Sequence, residues 1–207
     1  MSDRRARYAA AAGALTAAVV TIGILMAPVS SEQPRQPIEA PDIPLSELRL
    51  DEINATRTPF CRNIPDEAVT TAVGGSAQES EYTSGEREAL EPGLRDVVAE
   101  FGCVFTRGTT IARVWVFAAP VTPYDARRMV TQERTNEDCT PTGVLQFGRP
   151  GTVLSCSTGG ERVLRAVGRI GDAWVHCELS TSADAGEAQL ALRGQRWCVA
   201  AVYAMQG

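Results

Sequence analysis

Lysine is missing from this 207-residue chain, and all 20 basic residues are arginine. The absence excludes a Walker A loop, whose lysine must reach the nucleotide phosphates, and it removes Schiff-base and serine–lysine catalysis. With alanine abundant as well, the pattern is that of a GC-rich genome, so the arginine excess is not in itself a functional signal. Histidine is almost missing too. His176 stands alone and is therefore the one ready general base near neutral pH. No G-x-S-x-G elbow occurs, and the nearest glycine–serine stretch, Gly74-Gly75-Ser76-Ala77-Gln78, reads as a helix stop. H-E-x-x-H, calcium-loop and C-x-x-C patterns are all lacking. The chain thus implies no cofactor and no metal, and it reads as a non-enzyme.

What is present begins with an uncharged run. From Tyr8 to Ser31 it is 24 residues long, and about 20 apolar residues suffice for a helix to cross a bilayer core. Arg4, Arg5 and Arg7 stand just before it and by the positive-inside tendency keep that end in the cytoplasm. The expected organisation is a cytoplasmic N-terminus (1–7), a transmembrane anchor or signal peptide (8–30), a proline-rich linker (31–46) and an extracytoplasmic domain (47–207). An uncleaved anchor is favoured, since Ala27-Pro28-Val29 is a poor cleavage site; secretion after cleavage is the alternative. In the linker Pro34, Pro37, Pro41 and Pro44 disfavour a helix and favour extended chain. It reads either as a stalk or as a tether of no preferred length.

From residue 31 onward 17 arginines face 24 acidic residues, a net charge of −7. Such a domain repels nucleic-acid phosphates, so no nucleic acid is expected as a partner. The six cysteines, Cys61, Cys103, Cys139, Cys156, Cys177 and Cys198, all follow the apolar run. Exported, they read as three disulfides. Their order suggests Cys61–Cys103, Cys139–Cys156 and Cys177–Cys198, with other connectivities open.

The domain reads as α+β, an antiparallel sheet with helices packed on one face and stabilised by disulfides. A short helix opens at Asn63-Ile64-Pro65-Asp66-Glu67, capped by Asn63 and stopped by Gly74-Gly75. Residues 76–100 are ambiguous, with Leu94–Glu100 a candidate helix. Residues 103–107 and 110–118 suggest a hairpin turning at Gly108. Thr122-Pro123-Tyr124-Asp125 is a strong helix start, with Ala126, Met129 and Val130 facing inward. Asn136–Gly143 reads as a polar loop. Strands are expected at Val144–Phe147, Thr152–Ser157, Arg162–Ile170 and Ala173–Ser180, and a last helix from about Asp184 to Met205, with Asp184 and Glu187 at capping-box spacing.

Candidate ligand residues lie on these strands. Trp174, His176 and Glu178 share one face of the Ala173–Ser180 segment, opposite Val175, Cys177 and Leu179. A hydrolase would have to be centred on His176; the plain alternative is an ordinary strand histidine. Arg165 and Arg169 also share a face, with Arg162 and Arg149 nearby in sequence. Guanidinium groups so placed can grip an anionic glycan or a partner's carboxylates, or simply face water. Glu133, Glu137 and Asp138 form an acidic cluster that reads more simply as a solvated helix end. Trp115, Trp174 and Trp197 read as packing residues.

Pro59-Phe60-Cys61 followed by Ile64-Pro65-Asp66-Glu67-Ala68-Val69, the Gly74-Gly75 stop, Cys103-Val104-Phe105 and a late Trp197-Cys198-Val199-Ala200 helix form a pattern. In it the chain resembles uncharacterised actinobacterial cell-envelope domains, mostly lipoprotein-like and of unknown function. The resemblance covers residues 59–205 and implies that Cys61 pairs with Cys103. It transfers no catalytic residue, and the lipidation cysteine is missing here. The resulting expectation is a membrane-anchored module that binds an envelope protein or a cell-wall glycan. A hydrolase using His176 and an ectodomain subunit of a membrane signalling complex are the alternatives. The seven residues ahead of the apolar run are too few for a signalling domain, so signalling would need a partner in the membrane.

Overall fold

A computed structural model describes residues 41–206 apart from 86, 92–93, 98 and 144–145; for 87–91 and 94–97 it describes the backbone alone. The expected membrane segment and most of the linker lie outside the described residues. Among those described, no helix is long and apolar enough to cross a membrane.

The strands are β1 (Gln78–Tyr82), β2 (Arg87–Glu91), β3 (Leu94–Val97), β4 (Glu100–Arg107), β5 (Thr110–Phe117), β6 (Cys139–Pro141), β7 (Gly151–Thr158), β8 (Glu161–Ile170) and β9 (Ala173–Ser182). The helices are α1 (Asp66–Val73), α2 (Pro123–Arg134) and α3 (Glu187–Ala204). Seven strands form one antiparallel sheet in the order β1-β4-β5-β9-β8-β7-β6, and β2 pairs with β3 alone. The fold class is therefore α+β with an antiparallel sheet and disulfides, as the sequence led one to expect.

Strand alternation divides the sheet. Ala112, Val114 and Val116 of β5, Leu164, Ala166 and Ile170 of β8, and Val175, Cys177 and Leu179 of β9 build the main core on the first face. Helices α1 and α3 cover it through Val69, Ala72 and Val73 and through Leu190, Trp197, Cys198, Ala201 and Val202. Trp197 meets Phe105 edge-on at 5.6 Å and donates its indole N–H to the Arg113 carbonyl. Gly194 lets α3 approach closely, because a Cβ there would strike the Leu164 side chain. Helix α2 lies against the second face, burying Ala126 and Val130 on Val167 and Trp174. Thr122 caps it by accepting from the Asp125 amide. The helices thus occupy both faces, two on the first and one on the second, and not the single face expected, because Val167 and Trp174 give the second face an apolar patch that α2 buries.

All six cysteines are paired: Cys61–Cys103, Cys139–Cys156 and Cys177–Cys198. The first ties the segment ahead of α1 to β4, the second joins β6 to β7, and the third locks α3 onto β9.

Local expectations differ in several places. Asn63 does not cap α1; Pro65 holds that position, and the Asn63 amide donates to the Ala204 carbonyl at the far end of α3. Leu94–Val97 is strand β3, because it finds an antiparallel partner in β2. The polar loop around Cys139 contains β6, paired to β7 across the disulfide, and Pro141 fits because β6 is an edge strand. Of the strand expected at Val144–Phe147, the first two residues lie outside the described set, and Gln146 and Phe147 belong to no strand. No Asp184 capping box forms, since α3 starts at Glu187 with Gly186 before it. Leu45, within the expected linker, is 1% exposed and sits in the core.

Candidate functional site

Sheet register assembles a polar row on the second face. Trp115 stands opposite His176, and Glu178 stands opposite both Arg113 and Arg165. Trp115 stacks on the His176 ring at 3.6 Å. Nε2 of His176 lies 3.4 Å from Oε2 of Glu178. Arg113 donates to Oε1 of the same carboxylate at 3.3 Å. Nε of Arg165 is 3.4 Å from Oε2, an ion-pair distance without hydrogen-bond geometry. Arg165 also donates to Glu133 on α2 at 3.3 Å. The chain Glu133–Arg165–Glu178–His176 therefore runs from α2 across the sheet.

Burial decides the protonation of this row. His176 is 7% exposed; desolvation depresses its basicity below the ordinary value and outweighs the pull of Glu178, so it is neutral. A neutral ring presents its Nε2 hydrogen to the carboxylate, a tautomer assigned from that contact. Burial alone would raise the Glu178 carboxyl, but the bond to His176 and the charges of Arg165 and Arg113 bring it below its usual value. Further along the same face, the Tyr82 hydroxyl donates to Glu100 at 3.0 Å. Burial, reinforced by that carboxylate, pushes the phenol well above its usual range, and burial raises Glu100 as well.

Among the described residues no hydroxyl or thiol is bonded to His176, and a nucleophile within such reach is what base catalysis requires. Among the described residues its hydrogen-bond partner is the Glu178 carboxylate, an acceptor already shared by two arginines. The ring is 7% exposed, with Trp115 stacked on one face. Trp174 is 2% exposed beneath α2, and Trp197 is in the main core. Among the described residues no group of three acidic, histidine or cysteine side chains could hold a metal ion.

The arginines divide into two sets. Arg165 is neutralised by Glu133 and Glu178, and Arg162 points to the Ala185 carbonyl near α3. Arg169 belongs to a second place altogether, an open cavity of about 500 Å³ at the end of the sheet where β7 begins and β8 ends. Pro123, Arg127, Val130 and Arg134, a stripe along α2, form one wall, and Arg149 and Arg169 the other. No acidic residue lines it.

Backbone packing positions the second wall. Gly148 has φ +88 and sits against the Arg169 backbone; a Cβ at Gly151 or Gly168 would overlap the Phe147 carbonyl. With these glycines in place, Arg149 N–H donates to the Arg169 carbonyl at 2.7 Å and Arg169 N–H to the Pro150 carbonyl at 2.9 Å. The Arg149–Pro150 peptide is cis. The sequence placed Arg149 and Arg169 among the candidate ligands but missed Arg127 and Arg134. Their i, i+7 spacing on a strongly started helix was the available signal.

No protein-family model matches this chain, and no curated protein matches it.

Proposed function

We propose that the protein is a membrane-anchored, extracytoplasmic module that acts by binding an envelope protein or cell-wall component, without catalysis of its own. The observation that carries this reading is the state of His176, the lone histidine: neutral, buried, stacked under Trp115 and bonded to a carboxylate instead of a nucleophile. The arginine-lined cavity is one surface that has polar groups to offer. Export is supported by the uncharged run behind Arg4, Arg5 and Arg7 and by the pairing of every cysteine, which suits an oxidising compartment. The resemblance to actinobacterial envelope domains fits the same reading.

The test is retention. The full-length chain, purified in neutral detergent and immobilised, is challenged with wall-glycan and envelope-protein fractions, and its neighbours in intact cells are identified by crosslinking. Saturable retention of one component that is also crosslinked supports the reading. Failure of every fraction, with no crosslinked neighbour, removes it.

A further inference from the structure

We propose that the cavity between α2 and the Gly148–Gly151 loop binds a phosphate or pyrophosphate group of an envelope ligand, a proposal that rests on the binding role above and specifies its chemistry. Four guanidinium groups, Arg127, Arg134, Arg149 and Arg169, line one space in a domain whose exported part is otherwise acidic. Cations brought together without a counter-charge repel one another, so the arrangement favours a dense anion between them.

The fold orients these groups without neutralising them. Nε of Arg134 donates to the Thr152 hydroxyl at 3.1 Å, and Nε of Arg169 donates to the Val121 carbonyl at 2.8 Å. Both bonds hold the stem of the side chain, and neither partner carries charge. Arg127 and Arg149 are exposed and make no side-chain bond or ion pair with described residues. Asp172, whose carboxyl is lowered by its bond to Arg57 and to a lesser degree by Arg169, is the ion-pair partner of Arg57. Asp51 lines the neighbouring cavity that shares Arg149 and makes no ion pair with it.

The charge count selects phosphate over carboxylate. Within this same protein two arginines, Arg113 and Arg165, converge on the single carboxylate of Glu178. Four arginines in one cavity therefore exceed what one carboxylate offers. A phosphate ester carries close to two charges and several acceptor oxygens in a tetrahedral array, which guanidinium forks can approach from different sides. The remaining lining is one amide, Gln146, with two prolines, a valine and two glycines, and it holds no aromatic ring, so there is no stacking platform for a sugar or base. The site reads the charged group and leaves the rest of the ligand outside.

The experiment is a calorimetric titration of inorganic pyrophosphate into the full-length chain in neutral-detergent micelles, beside the double variant Arg127→Ala/Arg149→Ala. Neither side chain makes a bond with described residues, the backbone bond of Arg149 to Arg169 is kept in the variant, and circular dichroism checks that the variant is folded. Saturable binding is expected, weakened at least tenfold in the variant and by added salt. No saturable binding, or equal binding by the variant, overturns the proposal. So does equal affinity for polyglutamate, which would mark an acidic-peptide site. Phosphatidic acid added to the micelles distinguishes the source: competition with pyrophosphate identifies a lipid headgroup, and binding without competition identifies phosphate on a polymer or soluble ligand. Either supports the assignment. If the double variant retains envelope material as the natural chain does while binding no pyrophosphate, the binding role stands and this site is wrong; if both chains retain nothing, the binding role itself falls.

Discussion

Trp115 lies nearly parallel to the imidazole of His176, with ring centroids 3.6 Å apart and planes inclined by 21°. The stack is a consequence of register, since β5 and β9 bring the two residues opposite each other on the second face. It covers one face of a ring that also reaches Glu178. An aromatic contact of this kind adds about 0.5–1.5 kcal/mol beyond the area it buries.

Acid should therefore destabilise the protein in two steps. His176 has a folded-state pKa below its unfolded value of 6.5, so below that pH the unfolded chain binds the proton that the folded one resists. Stability rises with pH through this window and is lost as pH falls through it. Glu178 is depressed below 4.5, so its contribution is present above that value and is lost as pH falls further. Thermal midpoints measured from pH 7.5 to 4 should fall on acidification, and His176→Gln should flatten the slope near pH 6. An unchanged slope in the variant would show that His176 is not held neutral.

Removing the Glu178 charge should cost more than removing most surface carboxylates. Its side chain is 8% exposed and serves Arg113, Arg165 and His176 at once. Glu178→Gln leaves Arg165 without one of its two acidic partners beneath α2, while Arg113, at 44% exposure, can turn outward. A loss of about 2–4 kcal/mol is expected from denaturant unfolding. A loss below about 0.5 kcal/mol would place this network with exposed ion pairs.

The three disulfides should not open together. Cys61, Cys103, Cys177 and Cys198 are buried, whereas Cys139 lies half-exposed on the short edge strand β6. Mild reductant should therefore free Cys139 and Cys156 first, read by mass spectrometry after alkylation. Replacing the Cys177–Cys198 pair should cost about 2–5 kcal/mol, because it also loosens α3 from β9. Loop length favours Cys61–Cys103 among the three, as its separation of 42 against 17 for Cys139–Cys156 adds about 0.8 kcal/mol of chain entropy.

Much of this fold was legible in local signals. Thr122-Pro123-Tyr124-Asp125 announced α2, Gly108 marked a hairpin, and the alternation in β9 placed Trp174, His176 and Glu178 together. What escaped depended on distant partners. Asn63 looks like a cap but spends its amide on Ala204, more than a hundred residues away. Strand β6 exists because Cys139 meets Cys156, and β3 because it meets β2. Position on a strand also hid the fate of Arg165. Its sequence neighbours carry no hint that Glu133 and Glu178 neutralise it, or that Arg169, four residues on, joins Arg127 and Arg134 from a helix instead.

Two glycines distinguish space that is fixed from space that can yield. At Gly168 the obstacle is the backbone carbonyl of Phe147, itself anchored by a fully buried ring. An added methyl there must lift the loop from β8 and break the bonds linking Arg149 and Pro150 to Arg169. Gly168→Ala should lose about 2–4 kcal/mol and weaken anion binding at the cavity with it. At Gly102 the obstacle is the outer end of the Tyr82 ring, which can swing away and give up its bond to Glu100. Gly102→Ala should cost about 1 kcal/mol and leave the cavity, on the far side of β9, untouched. Equal losses of stability in the two variants would mean that the Phe147 segment is as free to move as a tyrosine side chain, and the arginines it positions would no longer have a rigid wall.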